Sequence, residues 1–188
     1  MKKVMWVFGK PGAGRKTLIK NILEDRLDVR EPLEIQYASV VYSCIPDNSD
    51  SLAHDHSDEV RRVNSILEQV NNFNSDDNDV LLLNGEYSDY KNFDNSIING
   101  ISDQYKELKQ ELLLLSPEDL DVLYERLINT EWYLSKVPEQ QRKYPREWLT
   151  FSVDYLRRGL QRFNDAGYTL YDIDTTDGYS FTRKLGKK

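Results

Sequence analysis

The feature that most constrains this chain is the run Gly9-Lys10-Pro11-Gly12-Ala13-Gly14-Arg15-Lys16-Thr17, set between an apolar segment and a helical pattern. Val4 to Phe8 is a short apolar run closed by glycine, which predicts a buried strand. Lys16 to Leu27 carries Leu18, Ile19, Ile22 and Leu23 at helical spacing and predicts the first helix. Between a strand and a helix, glycines let backbone N–H groups turn inward around a polyphosphate, and the helix start adds positive potential. A plain glycine-rich connection explains the glycines alone. It does not explain their coincidence with both flanks, two adjacent cations and a threonine.

The rest of the chain alternates in the same way. Leu33 to Ile45 is rich in Val, Ile and Tyr and predicts a strand, or two short ones, ended by Pro46. Asp58 to Phe73 repeats Val60, Val63, Ile66, Leu67 and Val70 at helical spacing, and Asp79 to Leu83 is a second central strand ending at Asn84-Gly85. A helix over Ser96 to Lys109 and a strand over Glu111 to Leu115 follow. Ser116-Pro117-Glu118-Asp119 then reads as a helix start, with Ser116 as the cap and Pro117 in the first helical position. From Glu147 to Asp165, Trp148, Phe151, Tyr155, Leu156, Leu160 and Phe163 keep helical period until Gly167, and Tyr168 to Ile173 is the last strand. Alternation of this kind predicts an α/β fold with a mainly parallel sheet covered by helices.

Composition removes several classes. In 188 residues, 39% hydrophobic and 30% charged, there is enough apolar surface for one core and too little length for two, so a single domain over residues 1–188 is expected. A net charge of −7 argues against a general nucleic-acid coat, leaving room only for a local basic groove. Runs such as Val80 to Leu83 and Leu112 to Leu115 are too short to span a bilayer, and Met1-Lys2-Lys3 leads after only Val4 to Phe8 into the glycine run. A soluble protein of the cytoplasm, with no membrane partner, is the expectation. Cys44 is the only cysteine, which excludes an internal disulfide and a thiolate zinc cluster.

The glycine run resembles the Walker A loop of P-loop kinases, in the form with a Pro-Gly pair that nucleotide and small-substrate kinases use. The resemblance implies a three-layer P-loop NTPase fold, with five strands in the order 2-3-1-4-5, and ATP with Mg2+ as cofactors. It assigns cofactor binding to Gly9, Pro11, Gly12, Ala13, Gly14, Arg15, Lys16 and Thr17. Two registers are open. If Gly9 and Gly14 frame the loop, Arg15 takes the place of the lysine and Lys16 that of the metal-binding hydroxyl, with Thr17 rotated about 100° further round the helix. If the loop carries one extra residue, Lys16 meets the phosphates, Thr17 the metal, and Arg15 adds charge. The glycine-arginine pair is also similar to guanylate-kinase-like domains of scaffold proteins, which keep the fold and bind partners.

Other residues are assigned by the same resemblance. Glu86 and, second, Asp89 follow the second central strand, where P-loop kinases place an acid that orients magnesium or takes the acceptor's proton; an acidic surface turn is the plainer reading. Arg61 and Arg62 stand where acceptor phosphates are held, although a solvated helix face explains them equally. His54-Asp55-His56 reads as a polar loop rather than a metal site. The Leu-Tyr-Glu-Arg-Leu stretch containing Arg126 is similar to the helix leading into a nucleotide-kinase lid, here about residues 130–147. Arg126 and Arg142, with Lys136, Lys143 and Arg146, are cations that could close over the transferring phosphoryl group. Trp132, Tyr133, Tyr144 and Trp148 interleave with them as possible base-stacking residues, with core packing the simpler role for Trp148. The segment after Asp174 corresponds to the loop that touches adenine.

The reading that follows is an ATP-dependent phosphotransferase acting on a nucleotide or DNA acceptor. Its compact form looks like bacteriophage enzymes that phosphorylate nucleotides or hydroxymethylated pyrimidines in DNA, which would place it in the host cytoplasm. A silent nucleotide-binding or interaction domain is the rival. An AAA-type motor is disfavoured, because no hydrophobic strand ends in Asp-Glu and the length leaves no room for a second subdomain.

Overall fold

The structure, a computed structural model, describes residues 1–35, 40–43, 56–130, 133–134 and 145–185. The fold is α/β: β1 (Lys3–Gly9), α1 (Arg15–Leu23), β2 (Val40–Ser43), α2 (His56–Ser75), β3 (Val80–Asn84), α3 (Tyr87–Tyr90), a 3-10 turn (Phe93–Asn95), α4 (Ile97–Gln104), β4 (Lys109–Leu115), α5 (Leu120–Ile128), α6 (Pro145–Asp165), β5 (Thr169–Asp174) and β6 (Ser180–Leu185). The strand order is β2-β3-β1-β4-β5-β6. The first five follow the expected sequence, and β6 is an antiparallel addition to β5 that the sequence pattern did not announce. The chain divides into two compact units, one of Met1–Val7 and Lys16–Glu111, the other of Phe8–Arg15 and Leu112–Lys188.

In the first unit β3 pairs in parallel with both β1, from Lys3 opposite Val80 to Val7 opposite Asn84, and β2, from Val40 opposite Val80 to Ser43 opposite Leu83. Strands enclosed on both faces must be apolar throughout, and Val4 to Val7 and Val80 to Leu83 are all essentially inaccessible. Several buried polar side chains in this unit find partners. Trp6 Nε1 donates to Gln110 Oε1 at 2.9 Å, and Gln110 Nε2 donates to Ile98 O and Ser102 Oγ. Glu111, fully buried, meets Lys3 at 3.3 Å and Lys109 at 2.5 Å.

The second unit is built from β4, α5, α6, β5 and β6. α6 buries Leu149, Val153, Leu156, Leu160 and Phe163, and ends at Gly167 as expected. Asp174, at the end of β5, accepts from Glu118 N at 2.9 Å, Thr176 N at 2.9 Å and Thr176 Oγ1 at 2.7 Å, fastening the strand to the approach to α5.

Several expected boundaries are corrected. α1 stops at Leu23, not Leu27, because Asp25 takes a left-handed φ of 53°. Asp25 N bonds to Ile22 O and Arg26 N to Asn21 O, a Schellman closure with an aspartate in the usual glycine place. The strand expected from Leu33 is absent at its start: Leu33 N bonds to Val29 O and Ile35 N to Arg30 O, so this stretch is a helical turn, and β2 begins at Val40. α4 is capped by Ser96, whose side chain accepts from Asn99 N, and ends at Gln104 rather than Lys109, since Tyr105 leaves helical geometry and Lys109 N pairs with Lys2 O to open β4. The cap of α5 is Asp119, accepting from Asp121 N, and not Ser116. Ser116 N is already bonded to Ile173 O, which extends the β4 end and delays the helix.

Candidate functional site

β1 ends at Gly9, and the chain then makes a tight turn in which Ala13 N donates to Lys10 O at 2.9 Å. Pro11 and Gly12 are its central residues, and Gly12 has φ 86°, the signature of a type II turn. Gly14 has φ 94° and stands immediately before α1, so Arg15, Lys16 and Thr17 are the first three helical residues. Their N–H groups have no helical acceptor, and no acid lies in the first turn. Such a helix start presents donors and positive potential to an anion.

The glycines are required by what surrounds them. A Cβ on Gly9 would lie 3.0 Å from Leu115 O and 3.3 Å from Arg15 Cγ, so the arginine stem bends back over the loop's entrance. A Cβ on Gly12 would lie 3.0 Å from Leu127 N and 3.2 Å from Arg126 Cβ, placing the turn against the last part of α5. Beside Gly14 the nearest atom is Tyr179 Oη, at 3.9 Å from such a Cβ.

Charge is concentrated here. Lys10 is half-buried, and burial, reinforced by the Arg15 charge, holds its ammonium below the usual lysine range. Its Nζ lies 6.0 Å from the centre of the Trp148 ring. Trp148 is 44% exposed, and Phe151 and Tyr155 are exposed too, so the expectation that these aromatics pack inward is wrong. The buried side of α6 runs through Leu149, Val153, Leu156, Leu160 and Phe163 instead, and the rings of Trp148, Phe151 and Tyr155 fall outside it. Tyr133, by contrast, is buried and presents no stacking surface.

Arg126 is not pointed at an open cavity. Its Nη1 donates to Thr175 O at 2.6 Å and Nη2 to Thr176 O at 2.8 Å, which ties α5 to the turn after β5.

The strand-end acids lie in the first unit. Arg62 is buried, and its Nη2 donates to Asp89 Oδ2 at 2.7 Å and to Asn84 O at 3.1 Å. Asp89 Oδ2 also accepts from Glu86 N at 2.7 Å, opening the short α3. Glu86 Oε2 approaches Arg62 Nε at 3.5 Å, and its side chain stays partly exposed. The two arginines therefore separate, with Arg62 internal and Arg61 exposed.

Lys16 and Thr17 are exposed on α1. Among the described residues no group of three or more His, Cys, Asp or Glu is arranged to hold a metal ion. Magnesium in a phosphate loop needs little from the protein, keeping several waters and taking one or two protein oxygens beside the phosphates, so a single hydroxyl such as Thr17 Oγ1 suits it. Arg142, Lys136, Lys143, Tyr144, Trp132, His54, Asp55 and most of the lid-like segment lie outside the described residues. Among those described, no helix is long and apolar enough to cross a membrane. Lys10 and Tyr179 are the residues that sequence reasoning passed over; Lys10 was legible as a cation directly after the strand, whereas nothing local marks Tyr179. No family model matches the chain, and no curated protein matches it.

Proposed function

We propose that the chain is an ATP-dependent phosphotransferase of the P-loop kinase class, with a nucleotide or nucleic-acid acceptor. The observation that carries this is the loop of residues 9–17: a type II turn and a left-handed glycine lead into a helix whose first residues are Arg15, Lys16 and Thr17, with Lys10 and Arg15 near enough for one cation to depress the other. Like charges held together raise the affinity for an anion, and a polyphosphate fits that demand. In this reading Thr17 would hold magnesium, and Glu86 accepts the proton of the acceptor oxygen as the γ-phosphoryl group moves to it from ATP, the bond to the β-phosphate breaking to leave ADP. Asp89, already engaged by Arg62, serves to fix the start of α3. Exposed Arg61, not Arg62, is the acceptor-side cation.

One observation favours the silent alternative. Helix α1 starts directly after Gly14, and Arg15 bends back over Gly9, which supports the register with Arg15 on the phosphates and Lys16 where a hydroxyl would serve magnesium. Calorimetry with Mg-ATP separates the cases. Binding that weakens far more in Lys16→Ala than in Arg15→Ala, together with label transfer to nucleotides or DNA, is the result expected of the phosphotransferase with Thr17 on magnesium. Binding without transfer to any acceptor selects the silent domain, and absence of binding removes both.

A further inference from the structure

The turn between β5 and β6 sets a tyrosine against the glycine loop, and the phosphotransferase reading, which put this segment against adenine, gives that residue no role on the phosphates. Tyr179 Oη is the nearest atom to the open side of Gly14, the residue from which α1 begins. The turn that carries it is fixed at several points. Asp174 accepts from Glu118 N and from Thr176, and the Arg126 guanidinium spends one nitrogen on each of two successive carbonyls, Thr175 O and Thr176 O. Carbonyl oxygens are neutral, so the Arg126 charge persists beside the loop, while its geometry serves the turn. The same turn contains a second hydroxyl, Thr175 Oγ1, that is buried and has no hydrogen-bond partner among the described residues.

We propose that Tyr179 is a phosphate ligand of the loop, its phenol donating to a non-bridging oxygen of the polyphosphate beside Gly14, and that Arg126 is a positioning residue which holds the turn in place. The inference rests on the nucleotide-binding reading of residues 9–17. Burial raises the phenol's pKa, and the nearby Arg126 charge offsets this only in part, so Tyr179 keeps its proton at neutral pH and acts as a donor. A hydrogen bond to a charged oxygen supports roughly a tenfold change in affinity.

The test is calorimetric binding of Mg-ATP and of inorganic tripolyphosphate to the full chain and to Tyr179→Phe, Arg126→Lys and the double variant. Tyr179→Phe removes one oxygen and keeps the ring; both ligands should bind about tenfold more weakly. Arg126→Lys keeps the charge but cannot bridge two carbonyls, so it should show a similar loss, and the double variant should be no worse than the weaker single one. Unchanged tripolyphosphate affinity in Tyr179→Phe overturns the phosphate contact, including the case in which only ATP binding falls and the ring meets base or sugar. Additive losses overturn the positioning role and put Arg126 on the phosphates. If the unaltered chain binds neither ligand, the nucleotide reading itself fails, an outcome distinct from the others. Tyr179→Phe remains decisive even if Arg126→Lys unfolds.

Discussion

Replacing the loop glycines by alanine should give three different losses for three separable reasons. Gly14 has φ 94°, but its added methyl would meet nothing closer than Tyr179 Oη at 3.9 Å. Gly14→Ala therefore pays only for a left-handed residue, about 1–2 kcal/mol. Gly12 has φ 86° and, in addition, a would-be Cβ at 3.0 Å from Leu127 N and 3.3 Å from Arg126 C, backbone atoms of α5 that cannot rotate away. Overpacking of that kind adds about 1–3 kcal/mol, bringing Gly12→Ala to roughly 2–5 kcal/mol. Gly9→Ala carries only crowding, against Leu115 O at 3.0 Å, Ala13 Cβ at 3.1 Å and Arg15 Cγ at 3.3 Å, again about 1–3 kcal/mol. For a chain of this length each kcal/mol moves Tm by about 2–4 °C, so the difference between Gly12→Ala and Gly14→Ala is measurable by circular dichroism melting without nucleotide. Gly100 is the internal control. It lies within α4 with nothing within 4 Å of an added Cβ, and Gly100→Ala should stabilise by about 0.5–1 kcal/mol. A Gly14→Ala variant at least as destabilised as Gly12→Ala would refute the packing of the turn on α5.

Asp89→Asn should lower stability by about 3–5 kcal/mol in urea titration, because it removes the buried charge that pairs with the Arg62 guanidinium at 2.7 Å, whereas Arg61→Met on the exposed face should stay within about 0.5 kcal/mol. Glu86→Gln should slow phosphoryl transfer while leaving the melting temperature and Mg-ATP affinity nearly unchanged; an undiminished rate would return Glu86 to a surface turn. Burial and Arg15 hold Lys10 below its ordinary 10.5, and a bound polyphosphate would restore its proton. Binding should accordingly weaken as pH rises through that lowered value and take up protons there. Calorimetry in buffers of different ionisation enthalpy checks this, and Lys10→Met should abolish the uptake.

What the sequence disclosed follows the range over which each signal acts. The glycine loop, β1 and β3 were legible because apolar runs bounded by turn residues are local, whereas the strand order was expected from the resemblance of the glycine loop. The end of α1 was not, since Asp25 occupies a left-handed position that usually announces itself as glycine. Ser116 fitted a helix cap by every local rule, but its N–H is claimed by Ile173, a partner 57 positions away that no window reveals. The candidate site divided the same way. Cations in the loop could be counted, whereas the separation of Arg61 from Arg62, the capture of Arg126 by Thr175 and Thr176, and the approach of Tyr179 to Gly14 are tertiary facts. β6 escaped notice because Ser180–Leu185 is a polar, basic edge strand without an apolar alternation to mark it.

The placement of Lys10 over Trp148 gives the chain an optical reporter. Trp6 is wholly enclosed and bonded to Gln110, so its emission lies to the blue and changes only when the core opens. Trp148 is partly in water with an ammonium near its ring, an environment in which the excited indole responds to local field and to quenching by nearby charge. Drawing Lys10 toward a bound anion alters that field without disturbing Trp6. With Trp132 replaced by phenylalanine, the two remaining indoles would separate in wavelength, one marking integrity and the other occupancy, and stopped-flow fluorescence could time ligand arrival with no attached dye.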